Sequence, residues 1–483
     1  MFNHCLHLLI IAFIFVSLLF PPPRRMQRLK LRVPRVGPLW KAVLVFLAVA
    51  VAGQLLGIFF SRSMQAARPQ PSLSFTSANS PELSLGSCQP QTHVMFLKTH
   101  KTASSTVLNM LYRFGEERGL RFALPLGYQF GYPLPFNAHR VKGYQGPHVM
   151  EYNIMGNHMR FNKVEVEKVM PADTFYFSIL RDPVALAESS YAYYKVVAPA
   201  FKRAKGLADF ASNPQRYYDP RLRNNHYARN LLWFDFGLDH NANFSERLVK
   251  KGEALVHRAF NLILLSEYFD ESMVLLRHAL CWPLDSVVSF SLNARKQDAN
   301  KRKSDKGSGL TEGLRQKLRE WNALDWHLYV AFNVTFWEKV RRFGKARMAM
   351  EVAKLRTRRE FLARICLRDG GRPVEASRIR DKAIRPFQSG PVKILGYELQ
   401  PGLDNATYQA CLRMIRPEIQ YKDLLDAHQF PRQIAIARGN PLRLNPQGRA
   451  EHKRTTVGQG VTYGMSLEPS RNTSLEEGKG PLR

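Results

Sequence analysis

The sequence predicts an α/β protein in which helices flank a parallel sheet, preceded by an amino-terminal membrane anchor. Three observations carry this reading. Apolar runs at residues 93–97, 174–180 and 260–266 each lead into a helical pattern, and strands alternating with helices build parallel sheets whose ligands gather at the carboxyl ends of the strands. Two of those strand ends, LKTHKTASST and RDP, concentrate cationic and hydroxyl side chains. Upstream, residues 39–60 are long enough to cross a bilayer and carry Lys41 as their one charge. A chain of 483 residues, 45% hydrophobic and 11% aromatic, has ample material for a packed core.

Taken in order, residues 1–38 form an amino-terminal segment containing a further apolar run at 5–20, which is shorter and marginal for spanning. A start at Met26 would leave a single anchor, making the first run an alternative extension. The connector PPPRRMQRLKLRVPR, rich in Arg and Lys, is expected on the cytoplasmic side, which puts everything after residue 60 on the luminal side. Residues 61–90, rich in Ser, Pro, Gln and Ala, read as a flexible stem. Residues 91–430 hold the motifs of a catalytic domain, with a helical stretch at 310–367. Residues 431–483 lack periodicity and are expected to be disordered. Cys88, Cys281, Cys366 and Cys411 fall on the luminal side, where they allow three disulfide pairings. Four N-glycosylation sequons, at Asn243, Asn333, Asn405 and Asn472, agree with that address.

The first strand runs into a turn built to hold an anion. Free backbone N–H groups and the positive end of a helix dipole face the turn, and Lys98, Lys101, Ser104, Ser105 and Thr106 add charge and hydroxyl donors. The string G-x-x-x-x-G-K-[ST] of nucleoside triphosphatases is absent from this turn, which disfavours ATP or GTP hydrolysis. The second strand, TFYFSIL, ends at Arg181-Asp182-Pro183; Pro183 suits the first turn of a helix, and Ser189 follows about two turns on. Two strand-to-helix anion sites in one chain outweigh the alternative of a surface ion pair between Arg181 and Asp182.

The turn resembles the 5'-phosphosulfate loop of sulfotransferases, with Lys101-Thr102-Ala103-Ser104-Ser105 in matching order and Ala103 where many members carry Gly. More closely, the segments FLKTHKTASSTVLNMLYRFGEERGL, NIMGNHMRFN, MPADTFYFSILRDPVALAESSYAYYK, HYARNLLWFDFGL and PEIQYKDLLDAHQFP resemble the galactose-3-O-sulfotransferases, Golgi type II membrane enzymes. Together with three further segments they run from about residue 91 to 431. The resemblance implies the sulfotransferase fold, a P-loop-like parallel sheet, with 3'-phosphoadenosine 5'-phosphosulfate (PAPS) as sulfuryl donor. It implies a single-pass Golgi membrane protein acting on galactose-terminated glycolipid or glycoprotein glycans. It also implies that Lys98, Thr99, Lys101, Thr102, Ala103, Ser104, Ser105 and Thr106 hold the phosphosulfate, while Arg181 and Ser189 hold the 3'-phosphate.

Sulfuryl transfer needs a base beside the attacking hydroxyl and cations beside the departing phosphate, and it needs no metal. Lys101 is expected to stabilise the leaving oxygen. His158, in GNHMRF where a strand entering the site would end, is the preferred base, and His100, inside the cradle, is its rival. Arg160 is a further anion-binding candidate or a helix-start ion pair. Trp233, Trp321, Trp326 and Tyr194 are aromatic candidates for stacking on galactose, although core packing is the commoner role. Asn322 and Asp325 are candidates for its hydroxyls. Gln388 and Lys393 either close over the cofactor or brace a turn.

The net charge of +32 fits anionic ligands or a membrane face. Nucleic acid is disfavoured, because no zinc-finger, basic-zipper or RNA-recognition signature is present. Two other classes stay open: another carbohydrate sulfotransferase, such as a uronyl 2-O-sulfotransferase, and an inactive membrane-anchored glycan-binding protein.

Overall fold

The computed structural model describes residues 88–295, 310–388 and 392–431. The expected anchor, the first apolar run, all but the end of the stem, residues 296–309 and the carboxyl tail beyond 431 lie outside the described residues. Among the described residues no helix is long and apolar enough to cross a membrane.

The sheet has five strands: β1 (Val94–Leu97), β2 (Phe122–Ala123), β3 (Ile154–Met155), β4 (Phe175–Leu180) and β5 (Leu262–Leu265). Their order is β2-β3-β1-β4-β5, and every pairing is parallel. β1 is central and fully buried, which is why its VMFL run is apolar without alternation. Phe96 stacks on Phe177 of β4 with ring centroids 4.8 Å apart. The Ser178 hydroxyl donates to the Leu97 carbonyl at 2.8 Å, where the register sets those two residues opposite.

From β1 the chain passes through α1 (Ser104–Glu117) to the far edge strand β2. From β4 it enters α2 (Pro183–Tyr194) and ends on the opposite edge at β5. Neighbouring strands β1 and β4 therefore send their connections to opposite sides. In open parallel sheets such a switch point opens a crevice at the strand ends. Pro183 starts α2, and the Asp182 carboxylate caps it by accepting from the Val184 and Ala185 amides at 3.0 and 2.9 Å.

Further helices include α3 (Leu231–Asp235), α4 (Glu246–Ala259), α5 (Phe269–Ala279), α6 (Glu312–Trp321), α7 (Ala323–Phe343), α8 (Lys345–Cys366), α9 (Asn405–Ile415) and α10 (Glu418–Gln429). The expected helical stretch at 310–367 is thus three helices, broken at Asn322 and at Gly344, whose φ of 97° suits glycine. Both α9 and α10 pack on α1. There the Tyr421 hydroxyl donates to Glu116 at 2.5 Å and the Asn109 amide donates to the Arg413 carbonyl at 3.0 Å. Of the three possible pairings, the cysteines adopt Cys88–Cys281 and Cys366–Cys411. A two-stranded antiparallel ribbon of β6 (Val374–Glu375) and β7 (Leu395–Gly396) completes the described fold. Gln388 braces it, accepting from Ile394 N at 2.9 Å and donating to the Pro386 carbonyl at 3.0 Å, while Lys393 lies 3.6 Å from Glu375.

Candidate active site

Both turns expected to bind anions lie at the carboxyl ends of adjacent strands, and one hydrogen bond joins them. Arg181, following β4, donates from Nη1 to the Lys101 carbonyl at 2.9 Å. In the first turn Lys101 and Ala103 have φ of 61° and 64°, a left-handed pair that turns the backbone sharply before α1. The first amide of α1 with an acceptor is Thr106, which donates to Ala103 O at 3.0 Å. Among the described residues the amides of residues 102–105 have no acceptor, which leaves a row of N–H groups unengaged at the start of α1.

Hydroxyls in the turn divide into two sets. Thr99 donates to Ile179 O at 2.5 Å, and Thr102 and Ser104 donate to Thr99 O at 3.2 and 2.6 Å. These three hold the loop's shape, which differs from the sequence expectation that they present donors to a ligand. Ser105 donates to Glu418 Oε2 at 2.7 Å, and Thr106 Oγ1 accepts from Leu292 N at 3.1 Å. Ser189 lies half-buried on α2.

Positive charge is in excess here. Lys98, Arg181 and Arg295 all act on Lys101, with Glu418 the opposing carboxylate, and burial together with those cations brings the Lys101 ammonium down to about 7. Its Nζ lies 3.6 Å from the centre of the Tyr193 ring. Burial likewise pushes Lys98 down, opposed by Glu418 at 3.2 Å. An enclosed cluster of like charges with unpaired amides fits a polyanion such as a phosphosulfate.

Both candidate histidines reach this crevice, and their rings stack 3.9 Å apart. His158 lies three residues beyond β3. Its Nδ1 donates to Lys98 O at 2.9 Å and its Nε2 accepts from the Lys98 ammonium at 2.7 Å. Burial first, then His100 and Lys98, hold it well below the usual imidazole range, so it stays neutral with both nitrogens engaged. His100 is arranged otherwise. Its Nδ1 lies 3.0 Å from both Asp235 oxygens, and its backbone N–H donates to the same carboxylate at 2.8 Å. Its buried Nε2 has no hydrogen-bond partner among the described residues. An imidazole oriented by a carboxylate, with its far nitrogen unengaged, is equipped to take a proton.

Several sequence candidates do other work. Asn322 accepts from Asn230 N at 2.8 Å, and Asp325 accepts from the amides of Leu232 and Trp233 at 3.0 and 2.8 Å. Both are buried caps of α3, unavailable to a sugar. Burial raises the Asp325 carboxyl to about 7. Trp233 is in the core, and Trp321 is buried with its indole N–H donating to Ala228 O at 2.7 Å. Trp326 is partly buried against the core. Tyr194 stacks on Tyr227 at 3.7 Å, near His100. Sequence reasoning missed Asp235, Glu418, Tyr128 and Tyr132. Tyr132 donates to Asp235 and Tyr128 to Glu418, each at 2.9 Å. No local string marks them, because their partners lie far along the chain.

Comparison with known proteins gives one family. The chain matches the model of the family described as galactose-3-O-sulfotransferase over residues 26–429. It is 40% identical to human galactose-3-O-sulfotransferase 4 over 470 residues, covering 83% of this chain and 95% of that protein. Identity to human galactose-3-O-sulfotransferase 2 is 50% over 346 residues, covering 71% and 85% respectively. Identity to the galactosylceramide sulfotransferase of Bos taurus is 46% over 351 residues, covering 72% and 80%.

Proposed function

Because this chain belongs to the galactose-3-O-sulfotransferase family, we propose that it moves a sulfuryl group from PAPS to the 3-hydroxyl of galactose on a glycolipid or glycoprotein glycan. The observation that carries this is the pair of anion-binding turns at adjacent strand ends, bonded through Arg181 to Lys101 O. One nucleotide with a phosphosulfate at one end and a phosphate at the other matches that pair. Lys98, Lys101 and the amides of residues 102–105 hold the phosphosulfate, with Thr99, Thr102, Ala103 and Ser104 shaping the loop and Ser105 and Thr106 at its helix start. Arg181 and Ser189 hold the 3'-phosphate.

PAPS supplies an activated sulfuryl group when bound. In the transfer the galactose O3–S bond forms, the bond from sulfur to the bridging phosphate oxygen breaks, and the nucleotide leaves as 3'-phosphoadenosine 5'-phosphate (PAP). Lys101 meets the charge growing on that oxygen. The hydroxyl proton passes to His100 Nε2, and Asp235 steadies the resulting imidazolium. His158 is then a positioning residue: its engaged nitrogens fix Lys98. This exchanges the roles that sequence position alone suggested for the two histidines, and the reason is the unengaged nitrogen of His100.

The proposed setting is the Golgi lumen, reached through a type II anchor at residues 39–60. Two disulfides support an oxidising compartment. The test is incubation of the full chain with radiolabelled PAPS and a panel of galactosyl lipids, galactosyl oligosaccharides and heparan fragments. Label on galactose O3 is the expected result. Label confined to heparan, or absent from all acceptors while PAP binds, overturns the reading.

A further inference from the structure

Beside the His100–Asp235 pair lies a second cluster to which neither the donor turns nor the base assigns a role. Its centre is Phe234, one residue before Asp235 on α3. The His226 ring stacks on Phe234 at 4.5 Å, the His240 ring meets it edge-on at 4.8 Å, and the Arg160 guanidinium lies 4.3 Å from its centre. Tyr132 connects this cluster to the base, 5.3 Å from His226 and 4.5 Å from His100 between ring centres. Tyr227 adjoins both, 4.1 Å from His226 and 5.6 Å from His100.

Three buried nitrogens of the cluster have no hydrogen-bond partner among the described residues: His226 Nε2, His240 Nδ1 and Arg160 Nε. His226 is only 7% exposed. Folded proteins rarely keep such groups unmet, so a bound water or a ligand would complete the bonding of these three around one aromatic ring. Other parts of the same side chains are anchored: Arg160 Nη2 donates to Leu238 O at 3.3 Å, and His240 Nε2 lies 3.3 Å from the Tyr218 hydroxyl. The unmet nitrogens are therefore held in fixed directions.

The chemistry of the cluster selects its ligand. Burial brings His226 to about 2 and His240 to about 4, so both imidazoles are neutral near neutral pH and offer one donor and one acceptor each. Neutral imidazoles and one guanidinium suit the hydroxyls of a neutral ligand rather than a dense anion. We propose that Arg160, His226 and His240, gathered around Phe234, form the subsite that reads the hydroxyls of the acceptor hexopyranose while its reacting hydroxyl lies against His100. This rests on the sulfotransferase reading above and adds the residues that recognise the sugar.

The test uses the full chain, PAPS, methyl β-galactoside and its 2-, 4- and 6-deoxy analogues. Wild type is expected to prefer the galactoside over at least one analogue by about tenfold in kcat/KM, as the loss of a hydrogen bond from a fixed site implies. In His226→Phe the ring remains and the N–H is lost. The acceptor KM should rise about tenfold and the preference should fall toward unity, with PAP affinity by calorimetry unchanged. A purely structural role would not remove discrimination between two closely similar sugars. His240→Phe and Arg160→Gln, on the half-buried rim, carry the same expectation if His226→Phe does not fold. Wild-type transfer with KM and preference unaltered in all folded variants overturns the subsite alone. Loss of PAP affinity in them also overturns it, since that places the cluster on the donor side. Wild type that binds PAP and labels no galactoside overturns the functional reading and this inference with it.

Discussion

Lys101 occupies a backbone position that disfavours a side chain and a charge position that disfavours a proton. Both suit the proposed anion site. Free, the protein holds Lys101 near 7 rather than its ordinary 10.5, so between those values the unfolded chain binds more protons and folding stability rises with pH. Binding an anion reverses this by favouring the ammonium. PAP binding at about pH 7.5 is therefore expected to take up protons, and PAP affinity to fall as pH rises through and above 7. Calorimetry in two buffers of different ionisation heat measures the uptake; Lys101→Met should remove it. Lys101→Ala should reduce kcat by about a hundred- to a thousandfold, the effect of deleting one charge-stabilising group.

The histidines separate by what their nitrogens touch. His100→Ala is expected to lower kcat by about a hundred- to ten-thousandfold with PAP affinity intact, and Asp235→Asn to lower kcat also by disturbing the tautomer. His158→Ala releases Lys98 and should weaken PAP binding as well. If His158→Ala instead lowers kcat alone while His100→Ala leaves kcat unchanged, the two roles must be exchanged. Ala103, at φ 64°, is a non-glycine residue in the left-handed region. Ala103→Gly removes that strain and is expected to stabilise the protein by about 0.5–1 kcal/mol in denaturant melts.

At the scale of elements, the proposed donor site is two strand-turn-helix units side by side, and these were legible because each is contiguous in sequence. The turn of 97–106 needs only its lysines, hydroxyls and the helix that follows. Asp235 and Glu418 were illegible for the opposite reason: they reach His100 and Lys98 from 135 and 320 residues away, and nothing in FDFGL or PEIQY announces a partner. Asn322 and Asp325 were legible as polar residues in an apolar helix, but only the fold shows that α3 needs them as caps. Arg181→Ala tests the coupling of the units, since its guanidinium holds Lys101 O. It should weaken PAP by about tenfold or more, because charged hydrogen bonds are lost. Packing between α4 and α3 gives an independent check. A Cβ on Gly252 would lie 2.1 Å from the Trp233 ring, so Gly252→Ala should destabilise the fold by about 1–3 kcal/mol in the same melts.

For the whole molecule, strand order explains why the site lies where it does. The parallel α/β class followed from alternating strands and helices, and β1, β4 and β5 stand within two residues of their expected limits. β2 and β3, two residues each, are too short to carry a period, so β2 was not legible and β3 only as the strand expected to end near His158. Nor was the pairing of the cysteines, which depends on α8 meeting α9. If that link stabilises the domain, Cys366→Ser with Cys411→Ser should lower stability by about 2–5 kcal/mol.

The central claim is that both turns hold one nucleotide, one end in each. Calorimetric titration of the full chain with PAP and with AMP, which lacks the 3'-phosphate, tests it most directly. One PAP per chain, bound much more tightly than AMP, is the expected result, with the preference lost in Arg181→Ala. No heat with PAP, or equal affinity of the wild-type protein for PAP and AMP, would contradict it.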